Sequence, residues 1–116
     1  MKYEVHDVSL VVVQPDRSNR KALFKWPIVQ VVEASDDVLV VRVEPTPGTI
    51  DNCNVFGVAS DARVLWQVAD RDHMYDDSPY TGLLLVNENV LLSNWDGATL
   101  LVNTKTGDVI HESQGR

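Results

Sequence analysis

The sequence predicts one all-β domain, residues 1–116, of about ten antiparallel strands. Its apolar segments are short and rich in valine, and Asp, Asn, Ser, Gly or Pro interrupts them roughly every five to ten residues. Such segments are typical of strands separated by turns. No segment has a sustained apolar stripe at helical spacing, so we expect no helix longer than one turn. The strands also group into two similar units, which indicates an internal repeat.

The first 27 residues predict an N-terminal hairpin. Val8–Gln14 and Lys21–Trp26 are its strands, and the polar run 15–19 between them, Pro-Asp-Arg-Ser-Asn, has the residues of a turn. We expect this hairpin to extend or cover an edge of the remaining sheet structure, since exposed strand edges need protection.

Residues 28–69 predict a first four-stranded meander. A short turn at 35–37 joins its first two strands, and a longer loop at 45–53, which contains two prolines, joins the second and third. The four strands are Ile28–Ala34, Val38–Glu44, Asn54–Ser60 and Arg63–Ala69.

Residues 81–114 predict a second meander of the same kind. Its strands are Gly82–Asn87, Val90–Trp95, Thr99–Asn103 and Val109–Ser113. The two units align with an offset of 52 over the first two strands, 44 over the third and 45 over the last. Gly97 replaces the loop 45–53, and one extra residue in the turn 105–107 accounts for the last step. We expect their apolar faces to pack as a sandwich or a partly open barrel.

The segments 54–68 and 95–110 resemble the outer half of a quinoprotein-type β-propeller blade. In both, a short strand leads through a tight turn to a second strand; Gly107 suits a turn that needs positive φ, and Trp66 is large enough to fill the space between sheets. Ala62 departs from the pattern at a turn glycine, and His111 or Glu112 stands where a second Trp would fall. A closed propeller needs about 4–8 blades, so the family's quinone cofactor is not expected here.

Charge limits the partners. Seventeen acidic against ten basic residues give a net charge of −7, which argues against nucleic acid, since phosphate binding needs a basic face. No run is long enough for a membrane span and no secretory pattern is present. The lone Cys53 cannot form an intrachain disulfide. A cytoplasmic location is therefore expected.

The densest polar segment, residues 70–80, connects the two meanders. It has four carboxylates, but they lack the spacing of a calcium loop, so no metal site is predicted. A binding loop and a solvated acidic connector are both consistent with its composition, and its tyrosines are suitable anchors for a protein partner. With the tryptophan that precedes the turn at 96–97, the predicted partner-binding residues are Asp72, His73, Tyr75, Asp76, Asp77, Tyr80 and Trp95.

Catalysis has little support in the sequence. Cys53 has no neighbouring Lys or His to lower its pKa, and no nucleophile elbow, phosphate-binding glycine loop or HExxH helix occurs. We predict a non-enzymatic, acidic protein that binds another protein, with a basic partner as one candidate; small acidic immunity proteins have this size and charge. A homo-oligomeric module that completes a sheet or ring, and a small-molecule or metal sensor using the 70–80 loop, are the alternatives.

Overall fold

A computed structural model describes residues 1–71 and 75–114 and confirms the all-β prediction. The described residues form eleven strands in three antiparallel sheets. The strands are β1 (Lys2–His6), β2 (Ser9–Val13), β3 (Asn19–Leu23), β4 (Ile28–Glu33), β5 (Val38–Val43), β6 (Val55–Ala59), β7 (Val64–Gln67), β8 (Tyr80–Val86), β9 (Asn89–Asn94), β10 (Thr99–Asn103) and β11 (Val109–Ser113). We call β1–β3 the N-terminal sheet, β4–β7 the central sheet and β8–β11 the C-terminal sheet.

The N-terminal sheet has one strand more than the predicted hairpin. Strand β1 pairs with β2, and β2 pairs with β3, so the order is β1-β2-β3. The hydrophobic pattern does not mark β1, because four of its five side chains are exposed. Its backbone nevertheless satisfies the edge of β2, which carries the fully buried Leu10 and Val12.

The two predicted four-stranded meanders are confirmed, and their registers refine the repeat. Glu33 pairs with Leu39 in the central sheet, whereas Leu85 pairs with Val90 in the C-terminal sheet. The turn between β8 and β9 is therefore one residue shorter than the turn between β4 and β5. The offset of 52 holds for the first strand and becomes 51 for the second, which corrects the uniform value that the sequence suggested.

The later strands keep the predicted offsets. In the central sheet, Val58 pairs with Leu39 on one side and with Val64 on the other. At the matching positions of the C-terminal sheet, Val102 pairs with Val90 and with Val109. The third strands are thus offset by 44 and the fourth by 45, so the two units share both strand order and register.

The central sheet contributes core residues from both of its faces. Side chains alternate along a strand, and on β5 Leu39 and Val41 pack with the N-terminal sheet while Val38 and Val40 pack with the C-terminal sheet. The N-terminal unit therefore covers a face of the central sheet, not an edge, and the sandwich has three layers. Each fully buried Val or Leu contributes about 1.5–3 kcal/mol of hydrophobic stabilisation relative to exposure.

Trp66 fixes the C-terminal sheet against the central sheet. Its Nε1–H donates a 2.7 Å hydrogen bond to the Thr104 carbonyl, and its ring packs on Gly57 and Gly107. Gly107 has the positive φ (79°) that the turn resemblance implied, and Ala62, at the position where that pattern has glycine, also has positive φ (69°). The indole thus fills the space between sheets, as expected.

The structure resolves which residue takes the place of a second Trp. Gly57 pairs with Trp66 in the central sheet, and the matching pair of the C-terminal sheet is Leu101 and His111. His111, and not Glu112, therefore stands at the Trp66 position, and its side chain is exposed. The outer face of the C-terminal sheet lacks both the ring and the glycine that receives it.

Candidate binding cleft

The segment leading into the C-terminal sheet is fixed by asparagine side chains. Asn54 is fully buried; its Oδ1 accepts a hydrogen bond from the Tyr80 N–H (2.8 Å), and its Nδ2 donates to the Tyr80 carbonyl (3.0 Å) and to the Val43 carbonyl (2.9 Å). A carboxamide offers both a donor and an acceptor. It can therefore pair with a backbone as a neighbouring strand would.

Two further asparagines continue this arrangement towards residue 76. Asn52 Oδ1 accepts from the Ser78 N–H and its Nδ2 donates to the Asp76 carbonyl, both at 2.8 Å. Asn94 Nδ2 donates to the Ser78 carbonyl at 2.9 Å. The Trp95 N–H donates to the Pro79 carbonyl at 3.0 Å. Residues 76–80 consequently have a defined backbone path without belonging to a regular strand, apart from Tyr80 itself.

A cleft lies along this segment, and we call it the aromatic cleft. It consists of two cavities of about 630 and 580 Å³ that share Tyr75, Thr81 and Trp95. The Trp95 side chain is 62% exposed and that of Tyr75 is 49% exposed. The other lining residues are Arg42, Glu44, Asp77, Pro79, Tyr80, Asn94 and Gly97. Two large aromatic side chains thus face solvent at one cleft.

A tight turn displays Trp95. The Asn94 amide oxygen accepts a hydrogen bond from the Asp96 N–H (3.1 Å), and the Asp96 carboxylate accepts one from the Ala98 N–H (2.9 Å). Gly97 has a φ of 89°. These side-chain-to-backbone bonds are the chemistry of Asx turns. They hold the backbone on the C-terminal side of Trp95, so the position from which its exposed indole projects is defined.

The charged residues of the cleft come from the central sheet and the connector. Arg42 Nε donates to Gln30 Oε1 at 3.2 Å, and its terminal nitrogen lies 3.4 Å from a Glu44 carboxylate oxygen. Burial lowers the pKa of the Arg42 guanidinium. In residues 1–71 and 75–114, no hydrogen bond or ion pair engages the Asp77 carboxylate. Among the described residues that line the cleft there are therefore one cation, which already has partners, and two carboxylates.

The predicted site residues are partly brought together. Tyr75, Asp77 and Trp95 line the same cleft, as the aromatic-patch hypothesis requires. Asp76 is exposed beside them, with its carbonyl held by Asn52. Asp72 and His73 lie outside the described residues.

The prediction that Tyr80 belongs to the exposed aromatic patch is wrong, because the structure places its ring in the core. It is only 1% exposed and packs between the central and C-terminal sheets, and burial raises its pKa to about 12. As the first residue of β8, it directs its ring towards the central sheet. We therefore remove the Tyr80 ring from the exposed binding surface.

Several residues at the cleft were not predicted from the sequence. Arg42 and Glu44 lie near the end of a strand far from the 70–80 loop in sequence, and only the packing of the sheets brings them to Tyr75. The asparagines at 52 and 54 had a weak signal, because polar residues at the start of a valine-rich strand need buried partners.

The Cys53 thiol is partly buried and lies near two carboxylates. Burial, then the nearby Asp70 and Asp51, raise the pKa of the Cys53 thiol. A raised pKa lowers the thiolate fraction and hence the nucleophilicity. Among residues 1–71 and 75–114, no three His, Cys, Asp or Glu side chains are grouped to hold a metal ion. Arg71 forms an ion pair with Glu112 of β11, which fixes the start of the connector.

Fold and cleft together define a small all-β protein of three stacked antiparallel sheets with an open aromatic cleft. The chain belongs to the family described as Domain of unknown function (DUF7957), whose model matches residues 3–114. No curated protein matches the chain. The described residues contain no helix with the length and apolar character needed to cross a membrane.

Proposed function

We propose that this protein is a non-enzymatic binding domain that captures a segment of another protein in the aromatic cleft. The observation that carries the proposal is the joint exposure of Trp95 and Tyr75 along one cleft. Exposed Trp and Tyr are enriched at the energetic centres of protein interfaces, where they contribute much contact area for little side-chain entropy.

The fixed backbone around the cleft supports the same role. Asn52 and Asn54 hold the segment that carries Tyr75 and Pro79, and hydrogen bonds of Asn94 and Asp96 hold the turn at Trp95. A surface that is ordered before the partner arrives loses less conformational entropy on binding. The three stacked sheets provide the rigid support, and we propose that the central and C-terminal sheets are two blade-type repeats.

The state of the cysteine bears on the cellular compartment. Cys53 is an unpaired thiol and is the single cysteine of the sequence. Unpaired cysteine without disulfides is common in reducing compartments. We therefore propose that the protein works in the cytoplasm.

The homo-oligomeric alternative has less support. Stacking another sheet on the outer face of the C-terminal sheet would repeat the interface made by Trp66 and Gly57, but this face has His111 and Leu101 at those positions. Terminal repeats of stacked structures commonly have an outer face that does not accept a further repeat. A ring or continuous stack would therefore need a different contact.

Panning a phage library of random dodecapeptides on the immobilised full chain tests the proposal. Peptides selected by the wild type should lose at least about tenfold in affinity for Trp95→Ala and Tyr75→Ala, because each variant removes a ring from the cleft. Leu23→Ala is the control: this side chain is 71% exposed on the N-terminal sheet. Full affinity for both cleft variants, or failure to select any peptide, would contradict the proposal.

A further inference from the structure

We infer that the aromatic cleft recognises a basic side chain, lysine or arginine, of the bound segment; this rests on the proposed function. The inference concerns the kind of partner residue that the cleft favours. It follows from three features of the lining: the exposed rings, the balance of charges, and the partners that those charges already have.

The exposed rings supply the first feature. The side chains of Trp95 and Tyr75 are exposed and line the same cleft, and both residues belong to each of its two cavities. The face of an aromatic ring is negative, with Trp the most favourable, so a cation placed over it is attracted. The long methylene stem of Lys or Arg can also cover apolar ring surface while its charged end stays near water.

The charges supply the second feature. Of the described residues that line the cleft, Asp77 and Glu44 are acidic and Arg42 alone is basic. The side chain of Arg42 is only 14% exposed, and its guanidinium contacts Gln30 and Glu44. It is therefore poorly placed to receive an acidic ligand, which would also approach the carboxylate of Asp77.

Asp77 supplies the third feature. Its side chain is exposed at the cleft, and its backbone neighbourhood is held because Asn52 binds the residues on both sides of it, Asp76 and Ser78. No described residue neutralises this carboxylate. An incoming ammonium or guanidinium group could pair with Asp77 while it lies over the Trp95 ring. Such charge complementarity gives specificity as well as faster association.

The experiment uses the full chain and synthetic forms of the peptides selected on it. Each Arg is replaced by citrulline and each Lys by norleucine, one at a time, which removes the charge and keeps the carbon chain of the side chain. For one basic position we expect a roughly fivefold to thirtyfold rise in Kd, the range of a cation–π contact combined with a partly exposed ion pair. The Kd should also rise with salt concentration, because the pair is accessible to ions.

A double-mutant cycle assigns the effect to the cleft. Asp77→Asn should weaken binding of the basic peptide severalfold and leave binding of its neutral analogue nearly unchanged, since only the charged pair couples the two sites. Asp36→Asn is the matched control, because Asp36 is an exposed carboxylate in the turn between β4 and β5. This variant should keep the wild-type Kd for both peptides.

The outcomes separate the two proposals. Equal Kd values for the basic and neutral peptides, or selection of acidic peptides, would overturn the inference while a loss with Trp95→Ala still supports the cleft as the binding site. Binding that persists in Trp95→Ala and Tyr75→Ala would instead contradict the proposed function itself.

Discussion

Asn54 and Tyr80 are joined by two hydrogen bonds through which one side chain satisfies the backbone N–H and C=O of a residue 26 positions away. Asn54 precedes β6 of the central sheet, and Tyr80 begins β8 of the C-terminal sheet. The pair therefore connects two sheets at the end of the molecule that carries the aromatic cleft, and it links the core to the candidate site.

Removing the Asn54 carboxamide should destabilise the protein. Asn54→Ala leaves the Tyr80 N–H and the Tyr80 and Val43 carbonyls without this partner in a buried region, so we expect a loss of about 2–4 kcal/mol in the free energy of unfolding. Urea denaturation measures it. Asn19→Ala, at an exposed position of β3, should change stability by no more than about 0.5 kcal/mol. Similar stabilities for the two variants would contradict the assigned role.

Asn54→Asp tests the donor half of the same pair. A carboxylate still accepts from the Tyr80 N–H, but it would face the Tyr80 and Val43 carbonyls, which the native Nδ2 contacts as a donor. Burial and these oxygens should raise the pKa of the introduced carboxyl. Its folded form then binds a proton more readily than its unfolded form, so stability relative to wild type should increase as pH falls from 8 to 5. A pH-independent difference would contradict this.

The glycines beneath Trp66 should not tolerate a side chain. A Cβ on Gly57 would lie 2.1 Å from Trp66 Nε1, and one on Gly107 would lie 2.8 Å from the ring, in addition to the strain of φ at 79°. We expect Gly57→Ala and Gly107→Ala each to cost about 2–3 kcal/mol in thermal or urea unfolding. Gly82→Ala is the control, since its nearest neighbour is the Ser93 Cβ at 4.0 Å; it should cost less than about 1 kcal/mol.

Tyr80 should make stability fall at high pH. Its pKa is raised to about 12 in the folded protein, from an ordinary value of 10.0, chiefly because burial disfavours the phenolate. Stability is therefore unaffected by this group below pH 10 and decreases between pH 10 and about 12, where the unfolded chain loses the proton first, by about 1.4 kcal/mol per pH unit.

Absorbance of tyrosinate at high pH measures this titration, and urea unfolding at stepped pH measures its effect on stability. Tyr80→Phe is the matched variant: it should lack the late absorbance step and the corresponding fall in stability. A late step that survives in Tyr80→Phe would show that another tyrosine is responsible.

Trp95 should contribute little to the free energy of unfolding and much of the solvent-accessible tryptophan fluorescence. Its side chain is 62% exposed, whereas Trp66 is 7% exposed. Trp95→Phe should therefore shift the fluorescence maximum to shorter wavelength and reduce quenching by acrylamide, while changing the free energy of unfolding by less than about 1 kcal/mol. Trp66→Phe should do the reverse: it removes the hydrogen bond to Thr104 and destabilises the protein while the accessible fluorescence remains.

Local sequence signals determined the strands that have alternating or continuous valine-rich patterns. The turn at 35–37, the position of Gly107 and the last two offsets of the repeat follow from short-range pattern and turn chemistry. Strand β1 was not predicted, because most of its side chains are exposed and its residues do not form an apolar segment. The pattern alone gave no reason to pair it with β2. The sequence predicted the same offset, 52, for the first two strands of the two meanders. It missed the one-residue difference in turn length because both strands are rich in valine, so either register aligns apolar residues with one another.

For the candidate site, the sequence identified Tyr75 and Trp95 as aromatic residues beside turns, and the structure places them at one cleft. It also grouped Tyr80 with them, although the ring of Tyr80 is in the core. Local composition does not distinguish an exposed from a buried tyrosine, because both flank the same polar segment. The direction of each ring depends on which face of β8 the central sheet covers.

By itself, then, the sequence determined the all-β class, the two meanders and the acidic character of the chain, because these depend on side-chain periodicity, turn residues and charge. The stacking of three sheets, the pairing of Asn54 with Tyr80 and the arrival of Arg42 and Glu44 beside Tyr75 were decided only by the tertiary structure. Contacts between residues distant in the chain depend on which sheet faces become buried against each other. The local pattern of apolar and polar residues does not specify that pairing of faces.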